Sequence, residues 1–157
     1  MPTKREDHCG QPLYNFQDTP IPEFPGLFDK VRPYGSAAVN GEGHDLDLLA
    51  LSLPESEGSI ISILTSCGWR FDDAEDIYMQ NHHGIHMRTA RLGQYNLVIL
   101  NCPVAYSMYL RAQRTVELLC LQGKMDRITV FDSIMLSYPA ELQDYLRNPS
   151  KYLESKV

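Results

Sequence analysis

Two stretches of this chain carry apolar residues in nearly unbroken runs. Leu46, Leu48, Leu49 and Leu51 dominate the first, and Tyr95-Asn96-Leu97-Val98-Ile99-Leu100 is the second. Short apolar runs bounded by turn residues are the pattern of strands buried on both faces. Strands are therefore expected over residues 45–51 and 95–100. Residues 84–92 alternate instead, with Ile85, Met87 and Thr89 on one face and His86 and Arg88 on the other. Gly93-Gln94 is a tight-turn pair that joins this strand to residues 95–100 as a hairpin. Val31 to Tyr34 reads as a strand leading into Gly35-Ser36, and Trp69-Arg70-Phe71 opens another extended piece.

A helical period takes over elsewhere. Ser52 and Glu55 have capping-box spacing with Pro54 in the first turn. Ile60, Ile61, Ile63, Leu64 and Cys67 follow at helical spacing, and Gly68 supplies the turn after the helix. Pro103 starts a long helix to Gln122, capped by Asn101 or Cys102, with Val104, Met108, Val116 and Leu119 on its buried face. Gly123 ends it. Residues 124–136 form the next helix, with Met125, Ile128, Phe131 and Met135 on one side. Pro139 stops that helix, and a short amphipathic one follows to Leu146 or Leu153. Residues 27–30 are expected as a short helix, and the acidic run Asp72 to Asp76 as a solvated loop. The loop Asn40-Gly41-Glu42-Gly43-His44 is mobile by composition.

The order of these elements predicts an α/β domain over residues 27–157, a mixed sheet with flanking helices. Residues 1–26, rich in proline and glycine, are expected as an irregular arm. Leu13, Tyr14, Phe16, Ile21 and Phe24 are too apolar for a solvated tail, so the arm lies across the domain or across a partner.

Composition narrows the function. The chain has 157 residues, 43% of them hydrophobic and 22% charged, enough for one real core. No run reaches the roughly 18–20 apolar residues of a membrane span, and no apolar core follows the charged N-terminus as in a signal peptide. The net charge of −6 argues against broad nucleic-acid binding. Cys67, Cys102 and Cys120 lie in apolar runs and are expected as buried thiols in a reducing cytoplasm.

The chemistry centres on Asp45 and Asp47. Two residues apart on a strand, they share a face. Paired carboxylates repel unless a cation lies between them, and Mg²⁺ is the usual one where a phosphate supplies further oxygens. Gly35-Ser36, separated from Asp45 by eight residues, offers backbone N–H groups and a hydroxyl for phosphate. Lys124 and Arg127 are three apart on one helix face, as are Arg111 and Arg114 on the helix before, and either pair suits a triphosphate. His82 and His86 have a spacing seen in zinc sites, but Gly84 between them and the absence of cysteine partners at finger-like spacing count against zinc.

Gly35-Ser36 followed by Asp45-Leu46-Asp47 resembles the Gly-Ser…Asp-x-Asp signature of the nucleotidyltransferase superfamily, the polymerase-β-like fold. Asn96-Leu97-Val98-Ile99, a helix, then Lys124-Met125-Asp126-Arg127-Ile128 with Phe131 is similar to the small nucleotidyltransferase-like proteins of bacterial viruses. The likeness spans residues from about 30 to 135. It implies Mg²⁺ or Mn²⁺ on Asp45 and Asp47, a nucleoside triphosphate at Gly35, Ser36, Arg111, Arg114, Lys124 and Arg127, and transfer to a hydroxyl of a protein, an RNA end or a small molecule. It also implies a cytoplasmic location, the host's if the chain is virus-encoded. The family's third carboxylate falls on Asn96, which can ligate a metal but cannot take a proton as a carboxylate does. The alternative is a catalytically weak or inactive module on the same fold. It would bind nucleotide, or a host protein through the N-terminal arm.

Overall fold

The computed structural model describes residues 3–6, 9–16, 21–22, 24, 26–35, 41–121 and 123–150. It is a mixed α/β arrangement around a five-stranded sheet. Strands β1 (Thr3–Glu6) and β2 (Pro12–Asn15) come first, then β3 (Phe28–Tyr34), β4 (Glu42–Gly43) and β5 (Leu46–Ser52). A 3₁₀ turn at Pro54–Ser59 runs into α1 (Ile60–Ser66), followed by β6 (Arg70–Asp72) and α2 (Ala74–His83). The chain ends with β7 (Met87–Leu92), β8 (Tyr95–Leu100), α3 (Pro103–Leu118), α4 (Lys124–Met135) and α5 (Tyr138–Arg147).

The order across the main sheet is β3-β5-β8-β7-β6. The two most apolar strands, β5 and β8, are its centre and pair in parallel, the only composition that survives burial on both faces. Their neighbours β3 and β7 pair antiparallel, as does β6 with β7. Alternation sorts the side chains of β5 and β8 into two cores. Leu48, Ala50, Leu97 and Ile99 pack with Ile60 and Leu64 of α1, and with Trp69, Leu27 and Phe16. Leu49, Leu51, Val98 and Leu100 pack under Val104, Met108 and Tyr109 of α3, with Met135 and Tyr138 behind. Helices thus cover both faces. The face beneath α3 is the one that carries Asp47 and Asn96, by the same period-two rule.

Several expectations need correction. Residues 28–30 belong to β3, because four residues make a marginal helix while β5 offers them strand pairing, with a bulge between Phe28 and Lys30. The arm is not irregular throughout: β1, β2 and β4 form a three-stranded antiparallel sheet, with Pro12 at the first position of its strand, where a missing N–H is tolerated. Its aromatic residues lie on the domain, Phe16 buried and Tyr14 and Phe24 against the same core. The capping box does not form. Ser52 is buried as the last residue of β5, and Ser56 instead donates to the Leu27 carbonyl at 2.6 Å. The acidic run is the start of α2: Asp72 Oδ1 accepts from the Ala74 N–H at 3.0 Å, and Glu75 and Asp76 fill the first turn, where the helix dipole favours negative charge. That helix consumes His82 and His83, and β7 begins only at Met87. Helix α3 ends at Leu118, short of Gly123, with Cys120 in the left-handed region at φ 53°. Cys67 and Cys120 are exposed and Cys102 half-buried, because the first two fall at helix ends that turn to solvent. Among the described residues, no helix is long and apolar enough to cross a membrane.

Candidate functional site

One row of residues crosses all five strands. Tyr34 pairs with Asp47, Asp47 with Asn96, Asn96 with Arg91, and Arg91 with Arg70. Cross-strand partners share a face, so five polar side chains line up on the side covered by α3. Tyr34, Asp47 and Asn96 of this row border a cleft of about 480 Å³ between the sheet and the helices. Tyr34, Gly35, His44, Asp45, Asp47 and Asn96 form its sheet side, and Gln113, Lys124, Arg127, Ile128 and Phe131 its helical side.

Asp47 is the centre of this site. Asn96 Nδ2 donates to its Oδ1 at 3.0 Å. Burial pushes its pKa from 3.8 to about 6; the Asn96 bond opposes that shift, and the charges of Asp45 and Glu75 add to it. Asp45 lies just before β5, and Arg91 approaches its Oδ2 at 3.9 Å. The hydroxyl of Tyr34 is held protonated, its pKa raised by burial and then by the Asp47 charge, and its ring meets that of Tyr109 edge-on at 6.1 Å.

Gly35 adopts φ +80°, and a Cβ there would come within 2.7 Å of Asp47 Oδ2. The strand end therefore needs glycine twice, for its backbone and for the space it leaves beside the carboxylate. Gly35→Ala is expected to cost about 2–3 kcal/mol, from left-handed strain of about 1–2 kcal/mol per residue and the displaced Asp47. Urea unfolding of the variant checks this; a loss under about 0.5 kcal/mol contradicts the close packing. The Gly35 N–H donates to Gln113 Oε1 at 2.7 Å, and Gln113 Nε2 donates back to the Gly35 carbonyl at 3.3 Å. A phosphate oxygen reaches that N–H only by displacing Gln113. Ser36 lies outside the described residues.

Of the cationic residues singled out from the sequence, Lys124 and Arg127 line the cleft, at the N-terminus of α4, where unpaired backbone N–H groups add positive potential. Arg111 and Arg114 do not. Arg111 makes a two-pronged pair with Glu141 of α5, at 2.7 and 3.2 Å, and Arg114 is exposed outside the cleft lining. Nor do the histidines gather: His82 Nδ1 is 2.9 Å from the Tyr78 carbonyl, and His83 Nε2 is 3.3 Å from Asp132. Among the described residues, no three His, Cys, Asp or Glu side chains are grouped to hold a metal. The donor set that does exist is two carboxylates, an amide and the gap kept open by Gly35. Two carboxylates with substrate oxygens are what Mg²⁺ takes, whereas zinc wants nitrogen or sulfur. The residues therefore fit a divalent ion brought with a phosphate.

Sequence reasoning overlooked Gln113, Arg91, Arg70 and Glu75. Arg91 and Arg70 could have been found by continuing the strand register outward from Asn96; nothing local marks Gln113. No protein-family model, curated protein or solved structure matches the chain.

Proposed function

We propose that this chain is a nucleotidyltransferase-like protein on the polymerase-β-like fold, binding a nucleoside triphosphate with Mg²⁺ or Mn²⁺ and transferring its nucleotidyl group to a hydroxyl. The observation that supports it most is the meeting of Asp45, Asp47 and Asn96 with Lys124 and Arg127 around one cleft of about 480 Å³, a size suited to a nucleotide. Acid on one wall and base on the other is what a metal-bound triphosphate requires.

In this reading Asp45 and Asp47 hold the ion, which when bound offsets phosphate charge and polarises the α-phosphate. Lys124, Arg127 and the α4 N-terminus hold the β- and γ-phosphates and receive the pyrophosphate. Asn96 holds the Asp47 carboxylate in place. Positioning supplies most of the rate. The reading carries with it a cytoplasmic location, the host's where the chain is virus-encoded.

A second reading has one observation in its favour. An amide bonded to Asp47 stands where a third carboxylate is needed, so the chain binds nucleotide, or a host protein through its N-terminal arm, without turnover. Labelled nucleoside triphosphates with Mg²⁺ or Mn²⁺ separate the two. Transfer gives pyrophosphate release; the module gives binding without it. In either nucleotide-binding case, Mg²⁺ and ATP at about 10–100 times Kd should add about 1.4–2.7 kcal/mol. For a chain of this size that raises Tm by roughly 4–8 °C. No shift with any nucleoside triphosphate removes nucleotide from the account.

A further inference from the structure

The open face continues past Asp47. On the side of β6, β7 and α2 lies a second lobe of about 550 Å³, which shares Tyr34, Asp47 and Asn96 with the first and is lined otherwise by Arg70, Asp72, Glu75, Thr89 and Arg91 among others. Arg70 and Arg91 are direct cross-strand partners. Residues so placed have Cβ atoms about 5 Å apart, and like charges there destabilise the pair. Among the described residues Arg70 has no ion-pair partner, and the contact of Arg91 is the long one to Asp45 at 3.9 Å. Two arginines at paired strand positions and lining one lobe bring two positive charges to it, which an anion of two charges can meet together.

Acids also face this lobe, each with a definite place. Asp72 accepts from the backbone at the start of α2, and Asp47 belongs to the first lobe as well. Glu75 projects from the first turn of α2, fixed by the Thr89 hydroxyl, which donates to its Oε2 at 3.3 Å. It lines the same lobe as the arginine pair, and its charge acts on Asp47. A fixed carboxylate there accepts a hydrogen bond; it does not hold a phosphate.

We propose that the second lobe is the acceptor site, taking a small hydroxyl compound that carries a phosphate monoester, with Arg70 and Arg91 on the phosphate and Glu75 accepting a hydrogen bond from the hydroxyl. The size of the lobe matches a small molecule. The net charge of −6 disfavours a long polyanion in the same place. The word acceptor rests on the transfer reading above; the phosphate site does not.

Two probes test it on the full chain, inorganic phosphate and ribose 5-phosphate, titrated with α,β-methylene-ATP and Mg²⁺ saturating the first lobe. Phosphate is expected to bind still. The double variant R70Q/R91Q should weaken it at least about tenfold; the single variant R70Q, which leaves the Arg91–Asp45 contact in place, should weaken it severalfold while nucleotide affinity changes less than twofold, and K124Q/R127Q should do the reverse. Both arginines are exposed and their replacement relieves repulsion, so the variant is expected to fold. Ribose 5-phosphate should bind more tightly than phosphate, and Glu75→Gln should shrink that advantage without weakening phosphate. Unchanged phosphate affinity in R70Q/R91Q, or its loss once the analogue is bound, overturns the site. Equal affinity for the two probes overturns the hydroxyl contact. Failure of the nucleotide itself to bind sinks the transfer reading instead, and the phosphate titration then decides the second lobe alone.

Discussion

Replacing Asp47 by asparagine is expected to stabilise the metal-free chain by about 2–3 kcal/mol at pH 8 and to abolish its stabilisation by Mg²⁺ with a nucleoside triphosphate. The first effect follows from the raised pKa. Asp47 ionises near 3.8 when exposed and at about 6 in the folded chain. Well below pH 3.8 it is protonated in both states and adds no penalty. As pH rises from about 4 to about 6, the unfolded chain releases the proton while the folded chain keeps it, so stability falls. Above that window the whole cost, about 3 kcal/mol, is present. Asparagine carries no charge to desolvate, and its side-chain oxygen still accepts from Asn96. The variant should therefore lose most of the decline across that window, which urea unfolding at pH 4, 6 and 8 reads directly. The second effect follows because a neutral amide cannot anchor the ion as a carboxylate does. A variant with the native pH profile would remove the buried charge from the account, and one that keeps the native ligand shift would remove the metal.

The reverse change, Asn96→Asp, should have an effect of similar size and opposite sign. Asn96 Nδ2 stands 3.0 Å from Asp47 Oδ1. An aspartate there exchanges a hydrogen bond to a charged group, worth about 1.5–3 kcal/mol, for carboxylate repulsion. The two acids then titrate as a pair with apparent values pushed apart. Without metal the variant should lose at least about 3 kcal/mol at pH 8. Most of that returns at pH 5, where the pair shares a proton. Divalent ions should bind at least about tenfold more tightly and restore stability, since a third carboxylate now offsets their charge. If the transfer reading holds, pyrophosphate release should also rise. Metal affinity equal to that of the native chain would mean that position 96 lies outside the ion's reach.

How much of this was legible beforehand depends on how local each cause is. The central strands and the helices α3 and α4 follow from apolar periodicity, which is written in neighbouring residues. The strand expected over 45–51 begins only at Leu46, so alternation orients Asp47 alone; Asp45 lies in the bend before it, and both carboxylates line the cleft. The approach of Asn96 to Asp47 was expected only from the family resemblance; the parallel register of β5 and β8 brings the two side chains to 3.0 Å. The sequence by itself therefore determined a mixed α/β sheet and a carboxylate pair at the end of its most buried strand. The rest required the fold. Residues 72–76 are acidic enough to read as loop, and only the dipole of α2 and its packing beside β7 make Glu75 part of the site. Gln113 clamps Gly35 across 78 positions of sequence, and the Arg70–Arg91 pair exists only because β6 joins the sheet beyond β7. Arg111 and Lys124 carry the same charge at the same kind of helical spacing, yet one is spent on Glu141 and the other lines the cleft. Side-chain type is local, but its partner is chosen by contacts between distant segments, and only the tertiary structure settles those.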